Sequence, residues 1–187
     1  MGCGASAFDW FEQYIMKIAR SALIPALALL CALWVAGIWR LMEPCLFVCA
    51  GEGLVACAPA APGTPLSIRF IHSVQKTPVE ENLVVDEDGR GLCLKSTKYQ
   101  SFGVGLPFLA SEGEFRREGD FYVMDGMDRH FDRLSLRTGV GTRLCVWLDG
   151  RELRLFEQFG PGERIDIFVA PLWRRWMPAS LAGDERD

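Results

Sequence analysis

From Ser21 to Trp39 the chain reads SALIPALALLCALWVAGIW, nineteen residues without a charge, closed by Arg20 and Arg40. At about 1.5 Å per residue, a helix of this length matches the hydrocarbon core of a bilayer. The alternative is a buried helix of a soluble domain. Such helices are mostly about 10–14 residues long and keep a polar face, which this run lacks. Ahead of it, Ser6 and Asp9 have the spacing of a helix cap. Phe8, Phe11, Ile15 and Ile18 then recur at helical spacing, with Glu12 and Lys17 off the stripe. The pattern predicts a short amphipathic interfacial helix within residues 1–20 and a transmembrane signal anchor over 21–40. Trp34 and Trp39, with Arg20 and Arg40, are the expected membrane anchors. Lys17 and Arg20 precede the span, whereas Arg40 alone follows it before Arg69. That bias puts the amino terminus in the cytoplasm and the remainder outside. A cleavable signal peptide has an apolar region of about 7–15 residues with a small-residue site close behind. The clearest such site, Ala56-Cys57-Ala58, lies far downstream, so the anchor is read as uncleaved. The start, Met1-Gly2-Cys3-Gly4-Ala5-Ser6, also fits a myristoylation pattern; beside a transmembrane anchor, lipid would add little.

Beyond Glu43 the apolar period shortens from helical to strand-like. The expected strands are Cys45–Ala50, Gly53–Ala58, Leu66–His72, Val79–Asp86, Gly91–Tyr99, Asp120–Met124, Arg133–Thr138, Arg143–Leu148, Glu152–Gln158 and Ile165–Val169. Turn signals divide them, and Asp149-Gly150 is the clearest two-residue hairpin. Many short strands at close spacing predict an antiparallel β-sandwich or barrel-like domain over residues 44–178. Gln100–Gly119 breaks the rhythm and reads as a long functional loop. Pro171–Pro178 sets Trp173 and Trp176 around Arg174 and Arg175, and residues 179–187 read as a disordered tail.

Charge narrows the partners. Three of the 20 basic residues and two of the 24 acidic ones precede Leu41, so the remainder is more acidic than the whole chain at −4. An acidic body repels phosphate backbones, which argues against nucleic acid. Cys45, Cys49, Cys57, Cys93 and Cys145 are odd in number and lack a CxxC pair. They read as small apolar strand residues, with one bridge as the alternative and its pairing illegible. His72, His130 and Glu81 could supply metal ligands, but no zinc-type spacing brings them together. No metal or cofactor is expected.

The densest chemistry is Phe70-Ile71-His72-Ser73-Val74-Gln75-Lys76-Thr77-Pro78-Val79-Glu80-Glu81. Leu66, Ile68, Phe70 and His72 share one strand face. His72 is either a half-buried residue bonded to a backbone carbonyl or the rim of a pocket. Ser73 is no catalytic partner, because neighbours on a strand point to opposite faces. If residues 73–78 turn the chain, Glu80 and Glu81 lie near the His72 end. One of them must point inward on the face of Val79, Leu83 and Val85, and then needs a partner; His72, Lys76 and backbone N–H groups are the candidates.

The blocks His72-Ser73-Val74, Thr77-Pro78-Val79-Glu80-Glu81, Asp88-Gly89 and Phe102-Gly103-Val104-Gly105-Leu106-Pro107 resemble the bacterial family known as domain of unknown function 1850. The resemblance covers roughly residues 55–169. It implies a small envelope protein with one amino-terminal transmembrane helix, encoded beside tripartite ATP-independent periplasmic (TRAP) transporters of the TAXI type. It supplies no catalytic residue. The matching positions, His72, Ser73, Glu80, Glu81, Gly103, Gly105 and Pro107, are the expected ligand or partner contacts. The expectation is a single-pass protein of the bacterial cytoplasmic membrane. Its periplasmic β domain would serve a TRAP permease or solute-binding protein. A hydrolase or isomerase using His72 with Glu80 or Glu81, and a purely structural envelope protein, are the alternatives.

Overall fold

The computed structural model describes residues 7–101, 109 and 111–178, with side chains at Tyr14 and from Leu23 onward. The chain divides into two compact units, residues 1–42 and 43–187.

The first unit holds one continuous helix, α1 (Ala7–Met42). The sequence pattern suggests two segments meeting near Arg20, but no glycine or proline interrupts Ala7–Ile24, so nothing stops the helix there. Pro25 stands inside it. Leu23–Met42 has a mean hydropathy of 1.9 and is long and apolar enough to cross a membrane. Its side chains are exposed throughout, including Trp34 and Trp39. Such a helix fits a single-pass anchor or a signal sequence. The side chain of Arg20 lies outside the described residues.

The second unit is built of antiparallel strands. They are β1 (Pro44–Ala50), β2 (Gly53–Pro59), β3 (Pro65–Ile71), β4 (Pro78–Val85), β5 (Leu92–Tyr99), β6 (Glu114–Glu118), β7 (Phe121–Asp125), β8 (Arg129–Phe131), β9 (Arg133–Arg137), β10 (Cys145–Leu148), β11 (Arg151–Arg154) and β12 (Arg164–Pro171). A short helical turn, α2 (Leu155–Gln158), and a 3-10 turn, Leu172–Trp176, complete it. One sheet runs β2-β1-β12-β9; the other runs β11-β10-β3-β4-β5-β7-β6, with β8 also paired to β5.

The sheets share one core. Leu46, Val48, Ile165 and Ile167 from the small sheet join Leu66, Ile68, Leu83, Leu92, Leu94 and Val146 from the large one. This is the expected β-sandwich, and period-2 alternation is what made it legible. The Asp149-Gly150 turn forms as expected, with both residues at positive φ, 51° and 71°, the geometry a two-residue hairpin demands.

Three stretches depart from the expectation. Glu152–Gln158 is strand only as far as Arg154. Leu155, fully buried, starts a helical turn in which the Phe159 N–H donates to the Leu155 carbonyl at 3.0 Å. The expected loop over 100–119 contains β6, whose five residues are all exposed, so no apolar alternation announces it. β8 has three residues, too few to show a period.

The outer faces of the two sheets differ. On the small sheet, Cys45, Phe47, Cys49 and Phe168 form a second apolar cluster, with Cys57, Ala170 and Leu172 against it. The Arg133 guanidinium lies 4.5 Å from the Phe168 ring centroid. β1 is therefore buried on both sides. On the large sheet the outer face is polar. Ser67 Oγ donates to Asn82 Oδ1 at 2.6 Å, and Asn82 Nδ2 donates to Ser96 Oγ at 3.2 Å.

Candidate functional site

The β3–β4 hairpin carries the motif. Its register pairs Ile71 with Pro78 and Arg69 with Glu80. His72 lies just past β3, in the turn. Its backbone N–H donates to the Thr77 carbonyl, and the Lys76 N–H donates to the His72 carbonyl, both at 2.9 Å. Lys76 takes φ +54° to close the loop. The His72 ring holds the turn too: Nδ1 accepts from the Val74 N–H at 3.3 Å and the Gln75 N–H at 3.2 Å. Accepting at Nδ1 puts the ring proton of the neutral form on Nε2. His72 thus bonds backbone N–H groups rather than a carbonyl. Ser73 is exposed at the tip. Ser101 Oγ donates to Gln75 Oε1 at 3.4 Å. Gly103, Gly105 and Pro107 lie outside the described residues.

The two glutamates separate. Glu81 shares the inward face with Val79, Leu83 and Val85, as the alternation requires, and stands opposite Ile68 and Thr97. Burial pushes its carboxyl above the usual range, and the Arg129 charge draws it down. Among the described residues no hydrogen bond or ion pair joins His72 to Glu80 or Glu81. His72, Glu81 and His130 do not meet as metal ligands.

The raised Glu81 carboxyl gives a signed prediction. A carboxyl that holds its proton more tightly when folded loses stability as pH rises from its unfolded value, about 4.3, through its folded value. Glu81→Gln removes the charge and keeps the shape. It is expected to unfold at a higher temperature than the parent at pH 7, with the two melting curves merging below about pH 4. Equal melting temperatures at pH 7 would show that Glu81 is solvated as well as an exposed carboxylate.

Glu80 faces outward. Its Oε2 lies 2.9 Å from Arg69 Nε, and the Arg69 guanidinium sits 5.4 Å from the Trp147 ring centroid. Across β5, Lys98 pairs in register with Glu80. Its Nζ is 3.3 Å from Glu118 Oε2 and 4.9 Å from the Phe121 ring centroid. Arg69, Glu80, Lys98 and Phe121 line a hollow of about 380 Å³ together with Ile71, Pro78 and Arg143. Arg143 is exposed, holds φ +44°, and has no ion-pair partner among the described residues. The hollow thus has three cations against one lining anion, above an apolar floor.

A second polar group lies on the same sheet, where β8 pairs with β5. Cys93 alternates outward between the core residues Leu92 and Leu94, opposite His130. His130 Nδ1 lies 3.1 Å from Asp86 Oδ1. Its Nε2 lies 3.8 Å from Cys93 Sγ and 3.5 Å from Asp128 Oδ1. Cys93 Sγ donates to Asp128 Oδ1 at 3.2 Å, and Lys95 Nζ donates to the same oxygen at 2.8 Å. Hydrogen bonding to Asp86 raises the His130 pKa, and Lys95 holds the Asp128 carboxyl down to about 2. Burial pushes the Cys93 thiol up. Sequence reasoning named Cys93 and His130 but missed Asp86 and Asp128. Strand parity puts Cys93 on the outer face, but its pairing with β8 left no trace in the pattern.

Cys45, Cys49, Cys57 and Cys145 also lie in strands, and their thiols are free. Burial first, and the Asp166 charge second, push Cys49 up to about 11, far from a reactive thiolate.

No curated protein and no solved structure matches the chain. Residues 66–155, from β3 to the buried Leu155 that follows β11, match the model of the family described as Domain of unknown function (DUF1850), a match that supports the family resemblance carried by the HSV and TPVEE blocks.

Proposed function

We propose that the chain is a membrane-anchored, extracytoplasmic binding module. It docks an acidic group of a partner in the hollow on the outer face of β3, β4 and β5. The observation that supports this reading is the excess of cations there. Arg69 is matched by Glu80 and Lys98 by Glu118, which leaves Arg143 as the free charge at the rim. Ile71, Pro78 and Phe121 supply the apolar contact that most binding sites combine with a few placed charges. Complementary charge steers encounter and fixes orientation.

The proposed role is accessory to solute uptake by a TRAP transporter of the TAXI type, with the permease or its solute-binding protein as partner. That part rests on the family resemblance alone. An enzyme using His72 with a glutamate is less favoured. His72 Nδ1 is occupied by two backbone N–H groups, Glu80 is paired with Arg69, and Glu81 faces the core.

The test is affinity capture of the tagged full chain from its own membranes in mild detergent. The reading expects a transporter component to be recovered, and the Lys98→Ala, Arg143→Ala pair to reduce that recovery about tenfold. Recovery of no transporter component, with uptake unchanged when the chain is deleted, would reject it.

A further inference from the structure

We infer that Cys93, His130 and Asp128 form a binding site for a zinc-type divalent cation, oriented from behind by Asp86. Three unlike donors converge here on the outer face of the large sheet. A tetrahedral zinc ion bound at about 2.3 Å by sulfur and about 2.0–2.2 Å by nitrogen or oxygen needs donor-to-donor separations of about 3.3–3.6 Å. The triangle made by Cys93 Sγ, His130 Nε2 and Asp128 Oδ1 has edges of 3.8, 3.2 and 3.5 Å. An ion can therefore seat over this triangle with shifts of a few tenths of an ångström.

One imidazole nitrogen can serve one ion, and the geometry decides which. Nε2 faces the cysteine and Asp128, whereas Nδ1 faces Asp86 at 3.1 Å. Asp86 is then the carboxylate behind the histidine. Metal-bound histidines commonly carry such a partner, which fixes the ring and raises its basicity. The backbone makes room for it. A Cβ at Gly91 would stand 2.8 Å from Asp86 Oδ2 and 2.9 Å from the Phe131 carbonyl oxygen, so only glycine at 91 leaves that carboxylate where it is.

The fourth position faces a cavity of about 540 Å³ that Cys93, His130, Asp128 and Lys95 help to line. Three protein ligands with an open position are the pattern of a site that takes water or an exchangeable ligand, rather than of a closed structural site. The softness of the set, with one thiolate, one imidazole and one carboxylate, selects zinc-type ions over calcium or magnesium. The Lys95 ammonium pairs with Asp128 at 2.8 Å. Its flexible, half-exposed side chain can leave as the ion enters. Binding also takes the thiol proton from Cys93, so affinity rises with pH.

The experiment uses the full chain in detergent micelles, stripped of metal, and titrates it with Co²⁺ followed by Zn²⁺. The expected result is one equivalent of Co²⁺ bound with thiolate-to-cobalt charge-transfer absorption, displaced by Zn²⁺. Cys93→Ser should abolish that absorption. Asp86→Asn should weaken binding about 10–100-fold, as loss of a partner behind a ligand does. Asp128→Asn and Lys95→Gln alter exposed side chains and leave the fold intact. The first should weaken binding at least tenfold and the second should tighten it. No thiolate-dependent absorption in the parent, or the same absorption and affinity in Cys93→Ser and Asp128→Asn, would overturn the assignment.

Discussion

Asp166→Ala is expected to cost the β domain about 3–5 kcal/mol of stability, the usual penalty for removing one partner of a buried charge pair. Asp166 is 5% exposed on the outer face of the small sheet. It accepts from Ser135 Oγ at 2.6 Å and Arg164 Nε at 3.0 Å, and lies 3.6 Å from Arg133 Nη1. Arg133 Nη2 is already buried without a hydrogen-bond partner. Deleting the carboxylate leaves that guanidinium beside Phe168 with no countercharge among the described residues. Asn at 166 keeps the shape and some of the hydrogen bonding, so it should fall between parent and Ala. Urea unfolding of the full chain in detergent measures the series. A loss under about 1 kcal/mol for Ala would mean that water reaches Arg133 and the pair is a surface one.

Phe47→Ala should be comparably damaging, at about 3–5 kcal/mol. Phe47 is 2% exposed, and its ring stacks on Phe168 with centroids 5.5 Å apart. It sits on β1, which has apolar neighbours on both faces, so the cavity left behind has little freedom to collapse. Phe115, on the edge strand β6, is 44% exposed. Phe115→Ala should cost under about 1 kcal/mol. Phe168 touches both Phe47 and Arg133, so Phe47→Ala and Asp166→Ala should not add. The same unfolding measurement checks all three, and equal effects at 47 and 115 would contradict the account of the small sheet.

What the sequence made legible follows its periodicities. The run Ser21–Trp39 announced an apolar helix by length and absence of charge. Alternation placed β1 to β5 within a residue or two, and it required one of Glu80 and Glu81 to point inward. The two-residue turn at Asp149-Gly150 was readable because its positive φ values favour particular residues. What alternation could not supply was pairing between distant strands. The approach of β8 to β5 depends on three residues, Arg129–Phe131, so the meeting of His130 with Cys93, Asp86 and Asp128 was invisible. His72 carries the same lesson in reverse. Its motif left two readings open, a ring bonded to backbone or the rim of a pocket, and two nearby backbone N–H groups, of Val74 and Gln75, reach its Nδ1. The helical turn at Leu155 had no signal, since one buried leucine is compatible with either strand or helix.

On the reading proposed above, the outer face of the large sheet is the working surface and that of the small sheet is packing. Amide hydrogen exchange on the full chain in membranes, with and without its native membrane neighbours, tests that division. Added protection is expected in β3, the 72–77 turn, β4 and the Lys98 end of β5. Protection confined to β1, β12 and the Leu172–Trp176 turn, with the β3–β4 hairpin unchanged, would contradict that reading.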